Sequence, residues 1–178
     1  MKAAIVAVLL LIAVAGCSKD KKITGPGPGP TYAVPSSPYS VLSNLTLAYS
    51  SRDTTEYPAL FDASYTGTSA DASPGGGVPL NFTKSDEMAH IRGLKRSASI
   101  TRISLTFPQV IQRYNDLSDP PGWATIQMSN VAGEIDDNPT SYTFSADLME
   151  FKFVPTTPAA GSPTDTTWKI IRWSEIRN

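Results

Sequence analysis

The sequence predicts an α+β domain in which three N-terminal helices pack on a curved antiparallel sheet. Two observations carry this prediction. Apolar residues in the first half of the domain recur with the period of a helix, whereas from residue 99 onward they alternate with the two-residue period of a strand. The phase of this alternation also changes inside one long strand segment, which predicts a β-bulge and therefore a bent sheet.

The first 16 residues have the pattern of a secretion signal. Lys2 is followed by an apolar run, residues 3–15, that is too short to span a bilayer comfortably. Residues 14–17, Val-Ala-Gly-Cys, resemble the lipobox of bacterial lipoproteins. That resemblance implies cleavage before Cys17, lipidation of its thiol and attachment to a membrane of the bacterial cell envelope. Ser18 is compatible with enterobacterial sorting to the outer membrane, facing the periplasm or the exterior.

Residues 17–35 are predicted to form the lipidated Cys17 and a spacer. The Gly-Pro repeat at residues 25–30 has no apolar face and is expected to stay extended. The domain then occupies residues 36–178, roughly 140 residues, which is the size of one domain with a single core.

Capping signals and apolar stripes predict the three helices. Ser37 and Pro38 predict the start of the first, because serine caps a helix and proline is tolerated at its first position. Its apolar stripe is Val41, Leu42, Leu45, Ala48 and Tyr49. A short second helix is predicted to follow, capped by Asp53 or Thr54, with Tyr57, Leu60 and Phe61 facing inward. A third is predicted after a cap at Thr83 or Ser85, with Met88, Ile91 and Leu94 buried.

The remaining segments are predicted to be strands and turns. Residues 64–79 predict a brief strand and then a loop, and residues 80–82 a second short strand. Four long strands are predicted at residues 99–109, 123–131, 140–154 and 166–177. The change of phase places a bulge near Leu148. The last strand carries apolar residues on both faces, which suits a covered strand and is compatible with a homodimer through the sheet.

This order of elements resembles the NTF2-like cone, a family that includes SnoaL-like and ketosteroid-isomerase-like proteins. Two stretches carry the likeness, residues 37–61 and residues 168–173. In the first, the helix ends in Tyr49-x-x-x-Asp53, and Tyr57 and Phe61 follow. The resemblance implies a cone that holds a small ligand. A lipocalin-like barrel is the rival fold, although it would not need three helices before its sheet.

Composition excludes several kinds of function. The chain has 15 Lys and Arg against 16 Asp and Glu, so nucleic acid is excluded as a partner. A single cysteine excludes an intrachain disulfide and a thiolate metal cluster. Glu87 and His90 have the Glu-x-x-His spacing of a di-iron site, but His90 is the only histidine. We therefore expect no metal and no cofactor, and we expect Glu87 to be a solvent-facing residue of the first turn.

The resemblance implies a pocket within the cone, where isomerases of the family use a tyrosine, a buried acid and a carboxylate base. The candidate pocket residues are Tyr49, Tyr57, Trp123, Tyr142, Asp147 and Arg172. Asp147 is the candidate base with Tyr49 as the hydrogen-bond donor, and Arg172 is the expected partner of Asp147. Two functions stay open. One is a non-catalytic envelope lipoprotein that binds a small apolar ligand or an envelope protein, and the other is an isomerase, dehydratase or cyclase.

Overall fold

The computed structural model describes residues 29–108, 111–156 and 166–177. Cys17, the signal segment and most of the linker lie outside the described residues. The helices are α1 (Pro38–Ser51), α2 (Glu56–Ala59) and α3 (Lys84–Arg96). The strands are β1 (Phe61–Asp71), β2 (Leu80–Thr83), β3 (Ile100–Thr106), β4 (Gln112–Tyr114), β5 (Ala124–Asp137), β6 (Thr140–Thr156) and β7 (Thr167–Arg177).

The helices α1 and α3 begin where the capping signals predict, whereas the N-cap of α2 is Thr55 and not the predicted Asp53 or Thr54. At α1, the Ser40 amide donates to Ser37 Oγ at 3.2 Å and the Ser37 amide donates to Ser40 Oγ at 3.0 Å, a reciprocal capping box. The predicted stripe of α1 is buried. Thr83 caps α3 in the same way with Asp86, so the cap partner is Asp86 and not Glu87.

The sheet is mixed, with strand order β2-β1-β7-β6-β5-β3, and β4 also pairs with β5. All neighbouring strands are antiparallel except β1 and β7, which run parallel with Gly67 opposite Trp173. The sequence predicted an antiparallel sheet, and the structure departs from that prediction at this pair alone among the described strands. A parallel pair needs a long connection between its strands, and here nearly the whole domain supplies it.

The predicted bend is present and involves two strands. On β6 the buried positions change phase between Ala146 and Met149, and on β5 they change between Met128 and Val131. The register is kept across the bend, because Ser129 lies opposite Leu148 and Val131 opposite Ala146. The strands β5 and β6 therefore bend together, and neither strand forms a bulge against the other at this point. Asn130 takes a left-handed conformation there, with φ 59°.

The folded domain includes residues 32–35, which the sequence assigned to the linker. Asn44 on α1 is only 3 % exposed, and its side chain exchanges two hydrogen bonds with the backbone of Ala33. The Tyr32 hydroxyl donates to Asp53 Oδ2 at 3.0 Å, and the Trp168 amide donates to the Pro35 carbonyl at 2.8 Å. This segment is thus packed along α1 and tied to the start of β7. No helix among the described residues has both the length and the apolar character needed to cross a membrane.

Candidate functional site

A partly enclosed cavity of about 350 Å³ lies between the helices and the concave face of the sheet. Its walls are mainly apolar. The aromatic rings that line it belong to Tyr49, Tyr57, Tyr65, Phe82, Phe144 and Trp173, with Leu105 and Ile135 beside them. The ionisable side chains at its wall are Asp86, Glu87, His90 and Glu175.

Glu87 on α3 is held by two buried tyrosines. The Tyr57 hydroxyl donates to Glu87 Oε2 at 2.8 Å, and the Tyr65 hydroxyl donates to Oε1 at 2.9 Å. The two tyrosines are 1 % and 3 % exposed. Burial raises the pKa of Glu87, although both hydrogen bonds oppose that rise. Burial and the neighbouring carboxylate also raise the pKa of Tyr57 and of Tyr65. Both phenols therefore stay protonated and act as hydrogen-bond donors.

His90 lies one turn further along α3, on the same face as Glu87. Its Nε2 is 3.1 Å from the Tyr49 hydroxyl, and the two rings stack with centroids 5.8 Å apart. Burial lowers the pKa of His90 below its ordinary value of 6.5, which favours the neutral ring at neutral pH. Burial also raises the pKa of Tyr49 to about 12. The wall of the cavity therefore carries an imidazole with a lowered pKa and, one turn away on α3, a carboxyl group with a raised pKa.

Two glycines make room for rings that line the cavity. A Cβ atom on Gly67 would overlap the Tyr65 hydroxyl, which is the group that donates to Glu87. A Cβ atom on Gly133 would overlap the ring of Phe144, its cross-strand partner. In both cases the far end of an aromatic side chain lies over the glycine, in space that only a residue without a side chain leaves.

The structure brings Tyr49 and Tyr57 to the cavity, as predicted, but not the other candidates. Asp147 is exposed on the sheet, and its expected partner Arg172 lies opposite Lys152 on another part of β6. The physical reason is the bend, because Ala146 faces inward before it and Met149 after it, so that Asp147 falls between the two phases. Tyr142, near the start of β6, is 56 % exposed. The assignment of Asp147 as a base in the cone is therefore wrong.

Trp123 and Arg172 lie at a second, polar hollow on the convex face of the sheet, with a volume of about 400 Å³. Lys152 lines this hollow and forms ion pairs with Asp116 Oδ2 at 2.8 Å and with Asp119 Oδ1 at 2.7 Å. These pairs fasten the chain after β4 to β6. Thr68 and Trp173 line both this hollow and the cone cavity, but Trp123 and Arg172 line the hollow alone, so their prediction as pocket residues of the cone is wrong.

Sequence reasoning missed Glu87, and a signal for it was present. Glu87 lies four residues before Ile91, which was predicted to be buried, so both share one face of α3. The expectation that Glu87 faces solvent is wrong, because its carboxylate accepts hydrogen bonds from the buried Tyr57 and Tyr65. Within the ranges that the structure describes, no three His, Cys, Asp or Glu side chains converge as a metal site.

Comparison with known proteins finds matches among solved structures only. No protein-family model matches the sequence, and no curated protein matches it significantly. A scytalone dehydratase-like protein from Novosphingobium aromaticivorans matches with a TM-score of 0.53 at 12% identity, over 77% of this chain and 78% of that chain. The β subunit of benzoate 1,2-dioxygenase from Burkholderia mallei matches with a TM-score of 0.54 at 12% identity, over 79% and 87%. A protein from Kribbella flavida matches with 0.53 at 15% identity, over 78% and 86%.

These likenesses show the fold. The chain has the NTF2-like cone, with a curved mixed sheet and a few helices over its concave face. The predicted fold class is confirmed.

Proposed function

We propose that this protein is a lipoprotein of the bacterial cell envelope, anchored through Cys17, whose cone binds a small and mainly apolar molecule. The observation that carries the binding proposal is the cavity of about 350 Å³. Ligand sites in proteins are concave and mostly apolar, with a few fixed polar groups and volumes of roughly 300–1,000 Å³. This cavity has aromatic walls, and Tyr57 and Tyr65 already fix Glu87 in one orientation.

The binding proposal is tested with the neutral dye N-phenyl-1-naphthylamine, titrated into the full chain carrying Cys17→Ala. We expect a saturable rise in fluorescence from one site. Ile135→Trp should abolish it, because Ile135 lines the cavity and a larger side chain fills the space. Thr143→Trp places the same side chain at an exposed position of the sheet and should leave binding unchanged. Equal binding by the two variants would place the dye elsewhere and contradict the proposal.

The anchoring proposal rests on the sequence of residues 14–17 and on the Gly-Pro spacer. Several acyl chains on one cysteine hold a protein at a membrane far more firmly than a single chain. When the chain is expressed in an enterobacterium, we expect it in the membrane fraction and expect Cys17→Ala to release it. Ser18→Ala is the matched control and should stay with the membrane. Membrane retention of Cys17→Ala would show that the lipobox interpretation is wrong.

A second candidate function is acid–base catalysis as an isomerase, dehydratase or cyclase. It is favoured by one observation, the placement of Glu87 and His90 one turn apart on α3 at the wall of the same cavity. Such a pair suits the removal of a proton next to a carbonyl group and its return elsewhere. The scytalone dehydratase-like neighbour has the same fold, which is compatible with this chemistry.

The catalytic candidate is tested by deuterium exchange into 2-tetralone, an apolar ketone with acidic carbon-bound protons, followed by NMR in D₂O. We expect exchange above the buffer rate, slowed at least tenfold by His90→Gln and by Glu87→Gln. Thr143→Trp, which lies outside the cavity, is the control and should exchange at the rate of the unmodified chain. Exchange at the buffer rate would leave binding as the function of the cone.

A further inference from the structure

Among the residues that the structure describes, the charged side chains that line the cone cavity are all acidic. Asp86, Glu87 and Glu175 are the charged residues that line it, and no Lys or Arg lines it among the residues that the structure describes. His90, the remaining ionisable group besides the tyrosines, favours its neutral form. As far as the described residues go, the cavity therefore offers negative charge with no resident cation.

The walls of the cavity favour a cation as well. The faces of aromatic rings attract ammonium groups within about 6 Å, more strongly where water is excluded. Aromatic rings line this cavity from both the helices and the sheet, including Tyr49 from α1, Phe144 from β6 and Trp173 from β7. The ring faces and the carboxylates thus both favour a positively charged ligand.

Glu87 is prepared to accept a further partner. An ionised carboxylate has about four acceptor positions. The hydroxyls of Tyr57 and Tyr65 occupy one position on each oxygen. They also fix the orientation of the Glu87 side chain, so that little conformational entropy is lost when a ligand binds to it. The remaining positions suit the N–H groups of an amine.

We propose that the cone cavity selects an organic cation, an amine or quaternary ammonium group on an apolar body, over neutral or anionic molecules of the same shape. This inference rests on the proposed function of the cone as a small-molecule site. A neutral ligand would remove water from the Glu87 carboxylate without replacing its interactions with a charge. An anion would meet three carboxylates and no basic partner from the described lining.

The test uses three probes with one body and three head groups: 4-phenylbutylamine, 4-phenylbutan-1-ol and 4-phenylbutanoate. Their affinities are measured by isothermal titration calorimetry at pH 7.5 and low salt, with the full chain carrying Cys17→Ala. We expect the amine to bind at least tenfold more tightly than the alcohol, and the carboxylate to bind most weakly. Glu87→Gln should remove the preference for the amine, because it removes the charge and keeps the size of the side chain.

Glu134→Gln is the matched control, since it makes the same change in net charge on the sheet outside the cavity. It should leave the preference intact. Equal binding of amine and alcohol, or an equal loss in both variants, would overturn the inference while the cavity still binds small molecules. Failure of all three probes in a chain that binds the neutral dye would overturn it too. Failure of the dye as well would remove the proposed function itself.

Discussion

At the scale of single residues, the position of Tyr65 depends on Gly67. A methyl group at residue 67 would overlap the Tyr65 hydroxyl and force it away from Glu87. We expect Gly67→Ala to destabilise the protein by about 1–3 kcal/mol, because a hydrogen bond between buried groups is broken. We expect Gly93→Ala, in contrast, to stabilise the protein. Nothing lies near Gly93 on the exposed side of α3, so alanine should stabilise the helix by about 0.5–1 kcal/mol. Urea unfolding measures both, and the same sign for the two variants would contradict this account.

The raised pKa of Glu87 gives the stability a defined dependence on pH. The folded state holds the Glu87 proton more tightly than the unfolded chain, whose pKa is near 4.5. The free energy of unfolding therefore falls as pH rises from 4.5 towards the raised pKa of Glu87. Above that pKa, the contribution of Glu87 no longer changes with pH. We expect the unfolding free energy of Glu87→Gln, relative to the unmodified chain, to grow over that interval and then level off. Chemical unfolding at a series of pH values measures this difference.

Asp53 provides a control of opposite sign. Hydrogen bonds from the backbone amides of Glu56 and Thr55 lower its pKa below 3.8. Its contribution to stability is present above 3.8 and is lost as pH falls through the lowered pKa. Asp53→Asn should therefore lose stability relative to the unmodified chain as pH rises through that interval. A Glu87→Gln difference that does not change with pH would show that the two tyrosines fully offset the burial of the carboxylate.

How far the site could be predicted from sequence is clear from Tyr49, Asp147 and Glu87. Tyr49 belongs to a regular stripe on α1, so periodicity alone placed it inside the domain. Asp147 follows Ala146 at the change of phase, where alternation no longer tells which face a residue takes. Glu87 looked like a first-turn acid, and its burial depends on Tyr57 and Tyr65, which come from other elements. Local patterns carry no information about partners of that kind.

At the scale of elements, the segment before α1 is held by Asn44. The side-chain amide of Asn44 accepts a hydrogen bond from the Ala33 backbone amide and donates one to the Ala33 carbonyl. The Asn44 side chain is almost fully buried. We expect Asn44→Ala to cost about 1–3 kcal/mol, since it leaves the Ala33 amide and carbonyl without these partners. Thr46→Ala, on the same helix, removes only a hydrogen bond within α1 and is the control. Thermal unfolding compares the two, and equal losses would show that the hydrogen bonds between Asn44 and Ala33 add nothing to stability.

The chain after β4 depends on Lys152. Its side chain is 17 % exposed and pairs with two carboxylates, of which Asp119 is the more buried. Lys152→Met should lower stability by about 1–3 kcal/mol, because it leaves Asp119 without its charged partner. Arg102→Met breaks two pairs on the same sheet, but the Arg102 side chain is 57 % exposed, so the expected loss is smaller. Differential scanning calorimetry orders the two variants, and the reverse order would contradict the structural account.

The elements themselves were largely predictable, whereas their pairing was not. Caps at Ser37 and Thr83 fixed where α1 and α3 begin. The strand β1 is longer than predicted, because Gly67 interrupted the pattern at a position where the structure requires glycine. The parallel pairing of β1 with β7 joins the two ends of the domain. No local signal specifies a contact between segments so far apart in the chain.

At the scale of the whole molecule, the bend divides the concave face of the sheet into two parts. On one side, Met128 and Met149 are buried in the packed core. On the other side, Ile135 and Phe144 face the cavity. The register between β5 and β6 is continuous through the bend, so the two strands change direction together. The sheet thus forms a filled base and a hollow end within one cone.

This division leads to a prediction at Asn130. Its φ of 59° lies in the left-handed region, which glycine and asparagine tolerate and β-branched residues do not. Asn130→Gly should keep the bend and the affinity for the neutral dye. Asn130→Val should lose about 1–2 kcal/mol of stability and bind the dye less tightly, because relaxation of the strain moves Phe144 relative to the helices. Urea unfolding and dye titration on the same samples test both effects. Loss of stability with unchanged dye affinity would mean that the cavity keeps its shape without the bend.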